Sequence, residues 1–318
     1  MDKKLIVVVM TYNQAGYIRQ CLDSILCQKV KIDFDVLVHD DCSSDGTYEI
    51  LLDYQNRYNN IYIIHEEERQ FIKLGFNKMI FKYVVPLINS KYVAYCDGDD
   101  YWCDELKLQK QYDFMEAHQD YSMCFHCAYQ LRKNNDLSSK WFFDNEGDIN
   151  MSDLVNDKPG IKVATSSIFL KGEVFKEFPN WRLNFPVEDI PMYMVASLNG
   201  KIHRLKDVMC VYRQFSIGSW SSQNTFDSQK REAHLKEMIE SINEFNIETN
   251  YKYDELVKKQ VLGCEFRINY SNKNLSSLFD KKYKQLFRKL PTKEKISLAL
   301  QYRTPKLYNF ICRRGKQK

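Results

Sequence analysis

The stretch YVAYCDGDDYW, residues 92–102, leaves an unbroken apolar run, Tyr92 to Cys96, and then places Asp97, Asp99 and Asp100 within four positions. A short continuous apolar run ending in such a turn reads as a buried strand. Carboxylates at i, i+2 and i+3 cannot all stay ionised in a low-dielectric pocket without a counter-cation, because like charges a few ångströms apart repel. A hard divalent ion, magnesium or manganese, meets that need with oxygen ligands from one or two carboxylates, water and phosphate. Gly98 permits the tight turn and a close backbone approach. The plainer alternative is a solvated turn leading into a helix capped at Asp104.

Working outward, the first half of the chain alternates apolar runs with amphipathic stretches. Leu5–Met10, Asp35–His39, Ile61–His65 and Lys91–Cys96 read as strands. Between them, Ala15–Gln28, Asp45–Tyr58 and Leu74–Ile88 carry helical spacing, with Asp45 at an N-cap. This βαβαβαβ order predicts an open, mostly parallel sheet flanked by helices, whose ligands lie beyond the carboxyl ends of the strands. Those ends collect Thr11-Tyr12-Asn13, Asp40-Asp41-Cys-Ser-Ser-Asp-Gly-Thr47 and Asp97-Gly98-Asp99-Asp100, so three polar loops converge on one sheet edge. Further on, a helix is expected over Asp104–His118, strands over Ser122–Leu131 and Val163–Leu170, and a helix near Pro191–Leu198 opened by Val187-Glu188-Asp189. A strand near Ile202–Tyr212 follows, and from Ser228 the pattern is helical, with breaks at Pro291 and Pro305. The insertion Asn134–Pro159 is too irregular to assign.

With 318 residues and 44% hydrophobic content the chain can bury a full core. No window approaches the roughly 18–20 apolar residues of a membrane span. Met1-Asp2-Lys3-Lys4 is followed by only six apolar residues, too few for a signal-peptide core, so the expected compartment is the cytoplasm. The ten cysteines are scattered through apolar segments, which argues for buried thiols rather than a disulfide framework. Cys124-Phe-His-Cys127 has metal-like spacing but sits in a strand pattern, where core packing is the expected role. None of the six histidines forms a ligand constellation by spacing.

Val9-Met10-Thr11-Tyr12-Asn13, Asp40-Asp41-x-Ser43-x-Asp45-Gly46-Thr47, Asp97-x-Asp99-Asp100 and Glu188-Asp189, in this order over roughly residues 4–220, resemble family 2 glycosyltransferases of the GT-A fold. The resemblance implies that Thr11, Tyr12 and Asn13 line the nucleotide base, that Asp41 accepts from the pyrimidine ring NH, and that Asp40 supports the loop. Asp97-Gly98-Asp99-Asp100 is similar to the family's DxD element. One carboxylate there contacts the ribose, while Asp99 or Asp100 holds a Mn2+ or Mg2+ ion on the donor diphosphate. Asp189 matches the general base of inverting members, with Glu188 orienting it or touching the acceptor. Arg213 and Ser219 fall where the family contacts the diphosphate, whereas Phe215 stands where many relatives have a histidine. Arg69, Lys73 and Asn77 lie where members place donor-contacting groups, and Thr165-Ser166-Ser167 resembles a segment bordering the acceptor. The implied activity is inverting transfer from a nucleotide sugar, a UDP-sugar above all, to a glycan or lipid-linked acceptor in surface polysaccharide assembly. The processive-synthase signature Gln-x-x-Arg-Trp is absent, which favours single additions. Two alternatives stand beside it: a sugar-nucleotide nucleotidyltransferase, which would show a Gly-rich basic loop after the first strand, and a catalytically silent nucleotide-sugar-binding scaffold.

Charge divides the chain. From Lys273 onward fourteen Lys/Arg face two acids, about +12, leaving about −8 on the rest. We expect a catalytic domain over 1–222 and a basic helical region over 223–318. The apolar residues interleaved in that tail fit packing, oligomerisation, or a helix lying on the cytoplasmic membrane face. No nucleic-acid recognition motif accompanies the charge.

Overall fold

The computed structural model describes residues 3–132, 137, 139–140, 146–155, 161–214, 216 and 228–306. The chain divides into two compact units, residues 1–224 and 225–318. The strands of the first are β1 (Leu5–Thr11), β2 (Phe34–Asp40), β3 (Ile61–His65), β4 (Tyr92–Asp97), β5 (Tyr101–Trp102), β6 (Tyr121–Leu131), β7 (Ser139–Lys140), β8 (Gly147–Ile149), β9 (Phe169–Lys171) and β10 (Lys201–Arg213). Its α-helices are α1 (Ile18–Leu26), α2 (Thr47–Arg57), α3 (Gln70–Leu74), α4 (Phe76–Met79), α5 (Lys107–Ala117), α6 (Met151–Val155), α7 (Gly172–Phe175), α8 (Asn180–Leu183) and α9 (Asp189–Asn199).

One sheet runs in the order β3-β2-β1-β4-β9-β6-β10-β5, with β7 beside β6 and β8 beside β10. The first four strands are parallel, as the apolar runs predict. β9 inserts antiparallel between β4 and β6, and β10 returns parallel to β6. β1 is buried along its whole length, on both faces, which is why it reads as a continuous apolar run rather than alternating. On one face Leu5, Val7, Val9 and Cys96 meet Ile18, Cys21, Leu22 and Ile25, the apolar stripe of α1. Each of those large side chains contributes roughly 1.5–3 kcal/mol on burial.

Two predicted elements differ. The helix expected over Leu74–Ile88 is broken at Gly75, whose φ of +78° is costly for other residues. Beyond α4 the chain tightens through a π turn at Ile80–Val84 and a 3-10 turn at Val85–Leu87, where Pro86 lacks the donor an α-helix needs. The strand expected over Val163–Leu170 is a 3-10 turn at Thr165–Ser167 followed by the short β9. Cys124 and Cys127, an odd number of positions apart on β6, point to opposite faces and cannot share a ligand. The nine described cysteines are free thiols.

The second unit contains helices Ser228–Glu248, Asp254–Ser271, Leu275–Leu278, Lys284–Lys289 and Thr292–Arg303. It has its own core of Phe266, Leu278, Tyr283 and Leu298, flanked by Phe279, Leu286, Phe287 and Leu290. Among the described residues, no helix is long and apolar enough to cross a membrane.

Candidate active site

Strand register sets the geometry. Met10 pairs with Asp97 and Thr11 with Asp40, so β1, β2 and β4 end level and their three polar loops open side by side. Gly98 N–H donates to the Met10 carbonyl at 2.9 Å. A Cβ at position 98 would stand 2.9 Å from Thr11 Cβ and run into Gln14 Oε1. Gly98→Ala should therefore cost roughly 1–3 kcal/mol by forcing two packed loops apart, a loss that thermal unfolding will register.

The aspartates of the turn have separate surroundings. Asp100 is fully buried; its Oδ2 accepts from Ser166 Oγ at 2.7 Å and its Oδ1 from the Arg213 N–H at 2.9 Å. Ser166 also accepts from the Asp97 N–H at 3.1 Å, and its carbonyl accepts from Trp102 Nε1 at 2.9 Å. Asp100 thus ties the turn to the end of β10 and to the Thr165–Ser167 segment. Asp99 accepts at Oδ2 from Ser216, and its carbonyl accepts from the Arg213 guanidinium, which also donates to Gln20. Phe215 and Ser219 lie outside the described residues.

The loop after β2 is cross-linked to the loop after β1. Asn13, at φ +51°, donates its N–H to Ser43 Oγ and accepts from the Ser44 N–H, both at 2.8 Å. Asp45 caps α2 from two residues upstream, accepting from the Thr47 N–H at 3.1 Å, with Gly46 at the cap position itself. Asp40 is fully buried, bonded to Ser43 and at 2.7 Å to His65 Nδ1. Asp41 accepts from the Gln70 N–H at 2.6 Å and from Arg69 Nε at 3.0 Å. The Arg69 guanidinium lies over the Tyr12 ring, 3.3 Å from its centroid. Tyr12, Asp41 and Arg69 therefore form one group, while Lys73 pairs with Glu68 at the surface. Next to it, His39 is fully buried with neither ring nitrogen hydrogen-bonded. Burial pushes its imidazole down to about 4. The unfolded chain takes up this proton first as pH falls, so the stability involved is present above about 6.5 and is lost towards 4. His39→Leu should remove up to roughly 3 kcal/mol of acid sensitivity in that window, read by denaturant titration at several pH values.

Glu188 and Asp189 open α9 on the face of the sheet to which Tyr95 points. Tyr95 OH donates to Glu188 Oε2 at 2.8 Å, and Glu188 Oε1 is buried with no hydrogen-bond partner. Asp189 Oδ1 accepts from the Ile190 N–H at 2.8 Å. Asp97 is raised to about 8, first by burial and then by the charges of Asp99 and Asp189, which puts the β4 turn and the α9 entrance in one field. Burial also raises Asp99, Asp100 and Glu188. The nearby cations are Arg213, which draws Asp99 down, and the buried Arg182, itself lowered to about 9 by burial but favouring charge on Glu188.

Such an excess of buried carboxylate fits a divalent cation. Among the described residues, no group of three His, Cys, Asp or Glu side chains is arranged to hold one unaided. A cation here needs ligand and water oxygens to complete its shell, the usual arrangement for magnesium with phosphates.

The structure brings Thr11, Tyr12, Asn13, Asp40, Asp41, Asp97, Gly98, Asp99, Asp100 and Arg213 to the strand ends, with Glu188 and Asp189 in electrostatic reach of Asp97. Sequence reasoning missed Tyr95, hidden in an apolar run, and Arg182, which looks like a surface residue until the fold covers it. It also passed over Ser216, next in sequence to Phe215.

A family model, Glycosyl transferase family 2, matches residues 6–177, more than half of the chain. The chain belongs to that family. Relatives include an uncharacterised Mycobacterium tuberculosis protein, 28% identical over 230 residues that make up 69% of this chain and 61% of that one. The putative teichuronic acid biosynthesis glycosyltransferase TuaG of Bacillus subtilis is 33% identical over 34% of this chain and 40% of its own. The chain spans under two-thirds of the length of the curated relatives it matches. Among solved structures, Staphylococcus aureus TarS 1-349 with UDP-GlcNAc aligns at TM-score 0.60 and 17% identity, covering 95% of this chain and 92% of that one. A Pyrobaculum calidifontis mannosyltransferase with GDP-Man and Mn2+ aligns at 0.55 and 16%, covering 98% and 83%. At these identities the two structures establish the fold alone.

Proposed function

We propose that this chain is an inverting glycosyltransferase that moves a hexosyl or N-acetylhexosaminyl group from a UDP-sugar to a glycan or lipid-linked acceptor in surface polysaccharide assembly. The observation that carries the reading is the register that ends β1, β2 and β4 level and brings Thr11, Asp40 and Asp97 to one edge, with Asp189 near enough to Asp97 for its charge to raise that carboxyl. Asp189 takes the acceptor hydroxyl proton as that oxygen attacks the anomeric carbon. Glu188, held by Tyr95, orients this end of α9. Tyr12, Asp41 and Arg69 hold the nucleobase, and Thr11, Asn13, Asp40 and Gly98 shape the floor beneath it. Asp97 meets the ribose. Asp99 is the cation-holding carboxylate and Asp100 the structural one, since both Asp100 oxygens already accept hydrogen bonds. When bound at Asp99, Mn2+ or Mg2+ supplies charge neutralisation on the leaving diphosphate.

The names of TuaG and of the poly(ribitol-phosphate) beta-glucosyltransferase of Bacillus spizizenii, 28% identical over 36% of this chain and 18% of its own, support an envelope-polymer setting. A thermal-shift panel of nucleotide sugars with and without manganese tests the reading. A donor at a hundred times its Kd should stabilise the fold by about 2.7 kcal/mol. No shift with any UDP-sugar would remove the donor assignment.

The same proposal places the enzyme on the cytoplasmic membrane face. Lys281, Lys284, Arg288, Lys289, Lys293, Arg303 and Lys306 are exposed in the second unit, alongside Ile296 and Tyr302. Anionic headgroups attract each well-placed cation by about 1 kcal/mol. The chain should co-sediment with phosphatidylglycerol vesicles and detach in high salt, and equal binding to neutral vesicles would contradict this.

A further inference from the structure

Asn77 sits in α4, far from the carboxylates in sequence, and is only 1% exposed. Its Nδ2 donates to the carbonyls of Phe185 and Val187, each at 2.8 Å. These carbonyls belong to the short crossing between α8 and α9, and Val187 immediately precedes Glu188. The acceptors fix the amide orientation, because two carbonyl oxygens require the NH2 group to face them. One buried side chain therefore joins the segment leading into β4 to the backbone that presents Glu188 and Asp189.

We infer that Asn77 is a positioning residue for the Glu188–Asp189 pair, rather than the donor-contacting group its place in the sequence suggests. The inference rests on the catalytic reading of Asp189, but its geometry does not. A two-pronged donor on carbonyls two residues apart fixes both the direction and the height of the strand of backbone between them. Loss of that clamp lets the entrance of α9 drift, and displacement of a catalytic group by about 1 Å can cost on the order of a hundredfold in rate. Asn77 does not lie among the groups gathered around Tyr12 and Asp41, so nucleotide binding is expected to survive its loss.

The test is Asn77→Leu, which nearly keeps the shape and removes both donors, read two ways on the full chain. Amide hydrogen exchange over residues 187–190 should quicken at least tenfold. The rate of nucleotide release from a UDP-sugar, the glycosyl group passing to water, should fall at least tenfold, with its KM and the UDP affinity within about twofold of the parent. Unchanged exchange over 187–190, or quickened exchange with an unchanged kcat, overturns the inference. An intact parent chain that turns over no donor counts against the glycosyltransferase reading instead, and the exchange measurement still decides whether Asn77 holds this backbone. If Asn77→Leu does not fold, Asn77→Asp, which in its neutral buried form keeps a single O–H donor at the same reach, is read by the same two quantities and should show smaller changes in the same direction.

Discussion

Asp189→Asn is expected to cut sugar transfer severely while leaving nucleotide binding intact, if Asp189 is the base proposed above. The substitution preserves the shape of the side chain and its contact with the Ile190 N–H, made by Asp189 Oδ1 at 2.8 Å, but removes the capacity to accept a proton. General-base groups contribute typically 10²–10⁴-fold, so a loss in kcat of about a thousandfold is expected. The shared field of Asp97 and Asp189 adds a second signature. With the Asp189 charge gone, one cause holding Asp97 high disappears, so UDP affinity with manganese should stay level or rise slightly. Retained turnover removes Asp189 as the base, whereas lost UDP affinity makes it a structural residue.

The second large effect separates two neighbouring carboxylates. Asp99→Asn should remove manganese-dependent UDP binding in calorimetry while the unfolding midpoint holds, because the amide oxygen still accepts from Ser216. Asp100→Asn should do the reverse. An amide can accept from only one of the two donors, Ser166 Oγ and the Arg213 N–H, and leaves the other buried and unsatisfied. That defect costs roughly 1–3 kcal/mol, and it falls on the links among the β4 turn, Thr165–Ser167 and β10. Asp100→Asn should therefore lower stability clearly and weaken nucleotide binding less than Asp99→Asn does. If Asp100→Asn alone erased cation dependence in a well-folded protein, the roles would be exchanged.

The legible part of this molecule is the parallel run β3-β2-β1-β4 of its sheet and the loops that leave it. Strands buried on both faces spell themselves as runs such as Leu5–Val9, and their polar exits stand out by contrast. Parallel pairing then forces Thr11, Asp40 and Asp97 to one edge, so their convergence follows from topology without side-chain detail. The resemblance to the glycosyltransferase family rested on those exits and on Glu188-Asp189, and the family match agrees with it.

Contacts that depend on distant chain segments were not legible. The sequence places Asn77 among donor-contacting groups, because its partners lie 108 and 110 positions away and no local pattern points to them. Ser166 reads as part of a strand edge, yet it braces both Asp97 and Asp100. The break at Gly75 depends on a single positive φ that no periodicity records. In the basic tail the charge is plain from composition, but the sequence does not reveal that Leu278, Tyr283 and Leu298 close a core within the second unit.

As proposed, the buried carboxylates at the strand ends serve a UDP-sugar through a divalent cation. The measurement that decides this is nucleotide release by the purified chain from UDP-GlcNAc, UDP-glucose and GDP-mannose, with water taking the glycosyl group where no acceptor is supplied, in manganese and then in excess chelator. UDP release from at least one UDP-sugar is expected, halted by the chelator and by Asp99→Asn. Release that persists undiminished in chelator, or turnover confined to GDP-mannose, would contradict it.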